Sequence, residues 1–119
     1  MEVAILGASA NPSRYSFKAA QRLIAAGHHP VGVNPKLPTI ANLEVVSSID
    51  ALRPNQHTLT IYVAPEKSRT VAEAILKHGF VRVIFNPGAE NPELQQRLSE
   101  AGVEVVEACT LVMLATGEF

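Results

Sequence analysis

The sequence is short of several features, and each shortage narrows what the chain can do. It has a single cysteine, Cys109, which excludes an internal disulfide and offers no cysteine cluster for a metal. Its formal net charge is −1. No basic field is therefore available to draw in nucleic acid or an anionic membrane surface, and any anion site must be local. No stretch approaches the roughly 20 apolar residues of a membrane span. Residues 3–8 are apolar, but they lack a basic flank and run into a polar turn, so no signal peptide is expected. No linker, internal repeat or low-complexity tract interrupts the chain. The expectation is one cytoplasmic domain with no nucleic-acid partner, no membrane partner and no metal. What is present supports a real core: 47% of the 119 residues are hydrophobic and 18% are charged, an ordinary globular balance.

The pattern is strand-helix alternation. Val3 to Leu6 is a short apolar run of the kind buried on both faces of a sheet. Gly7-Ala8-Ser9 makes a turn, and a helix follows from about Ser16 to Ala26, with Phe17, Ala20, Leu23 and Ile24 on one face. Gly27 stops it. A second strand runs from Pro30 to Val33 and ends at Asn34-Pro35. Residues 36–56 are irregular, with a short extended piece at Leu43 to Val46 and one helical turn at Ile49 to Leu52. Strand three is Thr58 to Val63, followed by a helix from Glu66 to His78. Strand four is Val81 to Phe85. Asn91-Pro92 supplies an N-cap and a first-turn proline for a helix ending near Ala101. Strand five is Val103 to Val106, and Thr110 to Leu114 docks as a short helix. Such alternation implies an α/β fold, a doubly wound sheet of about five parallel strands with helices on both faces.

Ligands of such sheets bind at the carboxyl ends of the strands, near the switch in strand order. The first turn departs from the three-glycine dinucleotide fingerprint, since Ser9 and Pro12 follow Gly7 in the glycine places. It still precedes a helix, whose free N–H groups and positive dipole end suit a phosphate or pyrophosphate. Ser9, Ser13 and Ser16 offer hydroxyls there, and Arg14 offers a clamp. Packing of the first helix on the sheet is the plainer use of Gly7 and Ala8. The second strand lacks the acid that bonds the ribose diol in NAD sites; it ends in Asn34, with Lys36 two residues on. An ammonium there fits the 3′-phosphate of coenzyme A or the 2′-phosphate of NADP, and it also serves as an ordinary solvated lysine. Lys67, after strand three, is placed to reach the adenosine side.

Taken together, Gly7-Ala8-Ser9, Asn11-Pro12, Arg14-Tyr15-Ser16, Asn34-Pro35, Asn86-Pro87-Gly88 and Cys109-Thr110 resemble the small single-domain CoA-binding proteins. These are similar in turn to the CoA-binding domain of the succinyl-CoA synthetase α subunit. The resemblance runs from Val3 to about Leu114. It implies a Rossmann-like, five-stranded parallel sheet that binds coenzyme A or an acyl-CoA. It implies pyrophosphate near Ser9, Arg14 and Ser16, and adenosine near Asn34, Pro35, Val63, Ala64 and Pro65. Lys36 lies where the synthetase-like domains place a lysine toward the 3′-phosphate. With Gly7, Ala8, Tyr15, Lys67, Asn86, Pro87, Gly88 and Cys109, these residues form the expected binding set. The Asn86-Pro87-Gly88-Ala89 turn departs from the Gln-x-Gly type sequence of longer relatives.

No catalytic set is expected. The synthetase domain works with a phosphohistidine on a second domain, whereas His28, His29, His57 and His78 here precede strands or end helices and read as structural or solvated. Cys109 is the one candidate nucleophile, and no histidine partner is near it in the pattern; it reads as a packed or pocket-lining thiol, with a mixed disulfide to the CoA thiol as the chemical alternative. The reading is a binding module without turnover, with a small NADP-binding oxidoreductase as the alternative.

Overall fold

The computed structural model describes residues 1–119. Six strands form one parallel sheet: β1 (Glu2–Leu6), β2 (His29–Val33), β3 (Glu44–Val46), β4 (Thr58–Ile61), β5 (Arg82–Phe85) and β6 (Glu104–Glu107). Their spatial order is β3-β2-β1-β4-β5-β6. The chain winds outward from β1 in one direction and then, from β4, in the other, which puts the switch in order between β1 and β4. In register, Leu6 of β1 lies beside Val33 of β2 and Ile61 of β4.

The alternation of side chains along β1 divides the core in two. Ala4 and Leu6 join Leu59, Ile61, Val83 and Phe85 on one face, covered by α3 (Ala72–His78) through Ile75 and α4 (Pro92–Glu100) through Leu94 and Leu98. Val3 and Ile5 point the other way, onto Ala20 and Leu23 of α1 (Tyr15–Ala25) and toward Leu114 of α5 (Thr110–Thr116). A strand buried on both sides has no polar face to show, which is why Val3–Leu6 reads as an unbroken apolar run.

Two elements differ from the sequence expectation. The extended piece near Leu43 to Val46 is a sixth strand, β3, paired in parallel with β2 from Val31–Glu44 to Val33–Val46. It is a three-residue edge strand, half-exposed and followed by Ser47-Ser48, so its side-chain pattern carries little of the burial signal that marks β1, β4 and β5. The helix over Glu66 to His78 is two pieces, α2 (Pro65–Thr70) and α3, broken at Val71 with φ −115° and ψ 12°. The Thr70 hydroxyl donates to the Lys67 carbonyl at 2.6 Å, and the Val71 N–H reaches Ser68 rather than continuing the α pattern. Such local hydroxyl-backbone bonds compete with regular helix.

Candidate functional site

The turn after β1 is set by contacts that few side chains would permit. Gly7 has φ +89°, and a Cβ there would lie 2.8 Å from Val63 Cγ1. Ala8 is buried. It packs over Gly32, where a Cβ would come within 2.8 Å of the Ala8 Cβ. The Gly7 N–H donates to the Val33 carbonyl at 3.1 Å, so the turn lies down over the end of β2. Beyond it the chain is held by short-range bonds. The Asn11 N–H donates to Ser9 Oγ at 3.1 Å, and Asn11 Oδ1 accepts from both the N–H and the hydroxyl of Ser13.

These bonds deliver the start of α1 to the switch point. Arg14 occupies the N-cap position in an extended conformation, with no side-chain cap. No acceptor in the chain meets the N–H groups of Tyr15, Ser16 and Phe17. Ser16 is 5% exposed, and its hydroxyl makes no hydrogen bond. Orphan donors beside a free hydroxyl on a largely buried serine are the parts of an anion cradle. Arg14 and Tyr15 are exposed beside it, with the Lys18 ammonium 5.5 Å from the centre of the Tyr15 ring.

The loop after β2 turns over the same edge. The Asn34 amide donates to the Ala8 carbonyl at 2.9 Å and its oxygen accepts the Lys36 N–H at 2.9 Å. Between this loop, the first turn and α2 lies a cleft of about 540 Å³, within the size range of small-molecule sites. Gly7, Asn34, Pro35, Lys36, Val63 and Lys67 line it. It is also lined by Leu6, Val33, Glu66, Thr70 and Val71, which the sequence reading did not select. Leu6 and Val33 are the last residues of their strands. Thr70 and Val71 follow Lys67 by three and four residues, the spacing that puts helical neighbours on one face. That spacing was the signal available for them. Two ammonium groups against one carboxylate leave the cleft with one excess positive charge, although the chain as a whole is −1. Neither Lys36 nor Lys67 has an ion-pair partner; the two salt bridges of the chain are Arg53–Glu44 and Arg97–Glu73.

The remaining expected residues lie along the same edge but outside that cleft. Ala64 and Pro65 form the N-cap and first position of α2. Asn86 is buried and spent: its amide donates to Thr60 Oγ1 at 2.7 Å and to the Ile61 carbonyl at 2.9 Å, and its oxygen accepts the Thr110 N–H at 2.8 Å. Pro87 and Gly88 are exposed in the turn beyond it. Cys109 is half-buried at the N-cap of α5. Near it the Tyr62 hydroxyl is buried without a partner, and burial pushes its pKa up to about 12. The histidines lie at the opposite, amino-terminal edge or on its loops. His28 meets the Met1 amino group, His57 the Thr58 hydroxyl, and His78 stacks on Phe80.

A doubly wound parallel sheet with a helix start and a cleft at its switch point is a Rossmann-like α/β domain. A family model described as a CoA binding domain matches residues 1–115, and the chain belongs to that CoA-binding family. Comparison with curated proteins finds no match. Among solved structures the chain is similar to an uncharacterized protein at 38% identity and a TM-score of 0.93, covering 99% of this chain and 97% of that one. A Thermus thermophilus protein is similar at 27% identity and a TM-score of 0.88, over 99% and 90% of the two chains. A dinucleotide-forming acetyl-coenzyme A synthetase from Ca. Korarchaeum cryptofilum shares the fold at 20% identity and a TM-score of 0.74, over 90% of this chain and 25% of its own.

Proposed function

We propose that this chain binds coenzyme A or an acyl-CoA through the edge formed by the first turn, the β2 loop and α2, and that it does so without turnover. Membership of the CoA-binding family supports the ligand. The observation that carries the reading is the start of α1: unpartnered N–H groups and a free hydroxyl on the largely buried Ser16, beside a cleft that holds two unpaired lysines. In this reading the pyrophosphate lies on the Tyr15, Ser16 and Phe17 N–H groups, with Ser9 and Arg14 flanking it. The adenosine enters the cleft between Val33, Pro35 and Val63, and its 3′-phosphate meets Lys36. Ala64, Pro65 and Lys67 border the adenosine side, with Gly88, Pro87 and Cys109 further along the edge.

Binding alone is the fitting role for these side chains. Cys109 has no histidine beside it, and the Glu107 carboxylate already accepts from Gln95 at 2.6 Å. The test is calorimetry of the purified chain with CoA, acetyl-CoA, NADP and NAD. Saturable heat with CoA or acetyl-CoA and none with NAD is the expected result. Heat with NADP alone transfers Lys36 to a 2′-phosphate and ends the CoA assignment.

A further inference from the structure

The proposed site has two anion-binding parts on different loops, the start of α1 and Lys36, and one side chain joins them. Asn34 Nδ2 donates to the carbonyl of Ala8 in the first turn, while Oδ1 accepts the backbone N–H of Lys36. The Asn34 main chain is engaged as well. Its N–H donates to the Val46 carbonyl at 3.0 Å, and its carbonyl accepts the Leu37 N–H at 3.0 Å. That last bond helps hold Leu37 at φ 48°, a left-handed conformation that a leucine keeps only when its surroundings impose it.

In NAD-binding Rossmann domains the end of the second strand carries an acid for the ribose hydroxyls. An acid is excluded here by hydrogen-bond polarity. A carboxylate at position 34 would set an acceptor against the Ala8 carbonyl, itself an acceptor. The amide is the group that satisfies a carbonyl on one side and an N–H on the other. We infer that Asn34 is a positioning residue that fixes the Lys36 loop relative to the start of α1. It thereby tunes the site to adenine nucleotides that carry a phosphate on the ribose as well as a diphosphate. The inference rests on the CoA reading above. Two charged anchors act together on one ligand only if their spacing is set beforehand; otherwise binding must first order the loop.

The test compares CoA with 3′-dephospho-CoA by calorimetry on the full chain, on Asn34→Ala, on Lys36→Met and on the double variant, with melting curves for each. The unaltered chain is expected to bind CoA about ten-fold tighter than dephospho-CoA. In Asn34→Ala that preference falls to about two-fold although Lys36 is intact, and in the Lys36→Met background Asn34→Ala leaves it unchanged. A merely structural role would weaken both ligands equally and keep the ratio, which overturns the inference. An independent readout needs no variant: the Lys36 amide of the free protein is expected to be protected from hydrogen exchange, and exchange at the unprotected rate overturns the link. Failure of the unaltered chain to bind either ligand is the separate failure of the CoA reading and takes this inference with it.

Discussion

Asn86 and Thr110 are joined by a 2.8 Å hydrogen bond from the backbone N–H that opens α5 to the Asn86 side-chain oxygen. The Thr110 hydroxyl in turn lies 2.8 Å from that of Thr60, which also accepts from the Asn86 amide. These buried groups tie β4, the end of β5 and the start of α5 into one network. Asn86 therefore serves the scaffold on which the ligand edge stands.

Asn86→Ala removes the partner of several buried groups at once. A loss of about 2–3 kcal/mol in unfolding free energy is expected, because buried donors and acceptors left unpaired cost more than the bonds were worth. Urea denaturation monitored by circular dichroism reads it directly.

Gly7→Ala is expected to cost stability and affinity together. Positive φ on a residue with a Cβ costs about 1–3 kcal/mol, and the new methyl group meets Val63, which lines the cleft. Gly32→Ala presses on Ala8 from below and is expected to cost about 1–3 kcal/mol by overpacking. Denaturation midpoints, followed by CoA titration of the folded variants, check both.

Arg14→Ala is expected to weaken CoA and dephospho-CoA by the same factor, about five-fold, because both carry the pyrophosphate and a partly exposed charge contact is worth about 1 kcal/mol. The same titrations at rising salt are expected to weaken CoA binding further, since the proposed contacts at the exposed Arg14 and Lys36 would be open to screening. A loss confined to CoA would move Arg14 to the 3′-phosphate.

The stability of the fold should depend on pH through two histidines. Burial holds the His78 imidazole below its ordinary value, and burial together with the Met1 amino group does the same to His28. The unfolded chain therefore binds more protons than the folded chain as pH falls past the ordinary imidazole value of about 6.5. Stability is full above that value and declines below it. Thermal midpoints should fall between about pH 7.5 and 5.5, and the double variant His28→Gln, His78→Gln should flatten the slope.

The fold was largely legible because its central strands are buried on both faces and its turns carry strong signals. Val3–Leu6 and Thr58–Val63 read as strands from apolar or β-branched runs alone, the second ending at Ile61 in the fold, and Asn91-Pro92 marked the start of α4, where the Asn91 oxygen does cap the Leu94 N–H. Leu43 to Val46 read as extended, but its place as the edge strand β3 was not legible, since that rests on pairing with β2. The break at Val71 was hidden because the one apolar face legible there, Val71, Ala74, Ile75 and His78, lies at or beyond the break and gives no pattern for the polar turn before it. At the candidate site, the backbone elements were readable and the division of labour among side chains was not. Asn34 and Asn86 stand in equivalent places after β2 and β5, yet one lines the cleft and the other is buried in a polar network. That difference depends on which groups the tertiary fold brings opposite each amide, and no local pattern encodes it.

The central claim is that a pyrophosphate rests on the start of α1. Titration of isotopically labelled protein with CoA, read by amide proton and nitrogen shifts, tests it most directly. Saturating CoA should move the Tyr15, Ser16 and Phe17 amides most, as hydrogen bonding to phosphate would, with smaller changes at Lys36 and along Val63 to Lys67. Saturation that leaves the three α1 amides where they were, or that moves residues on another face, contradicts the account.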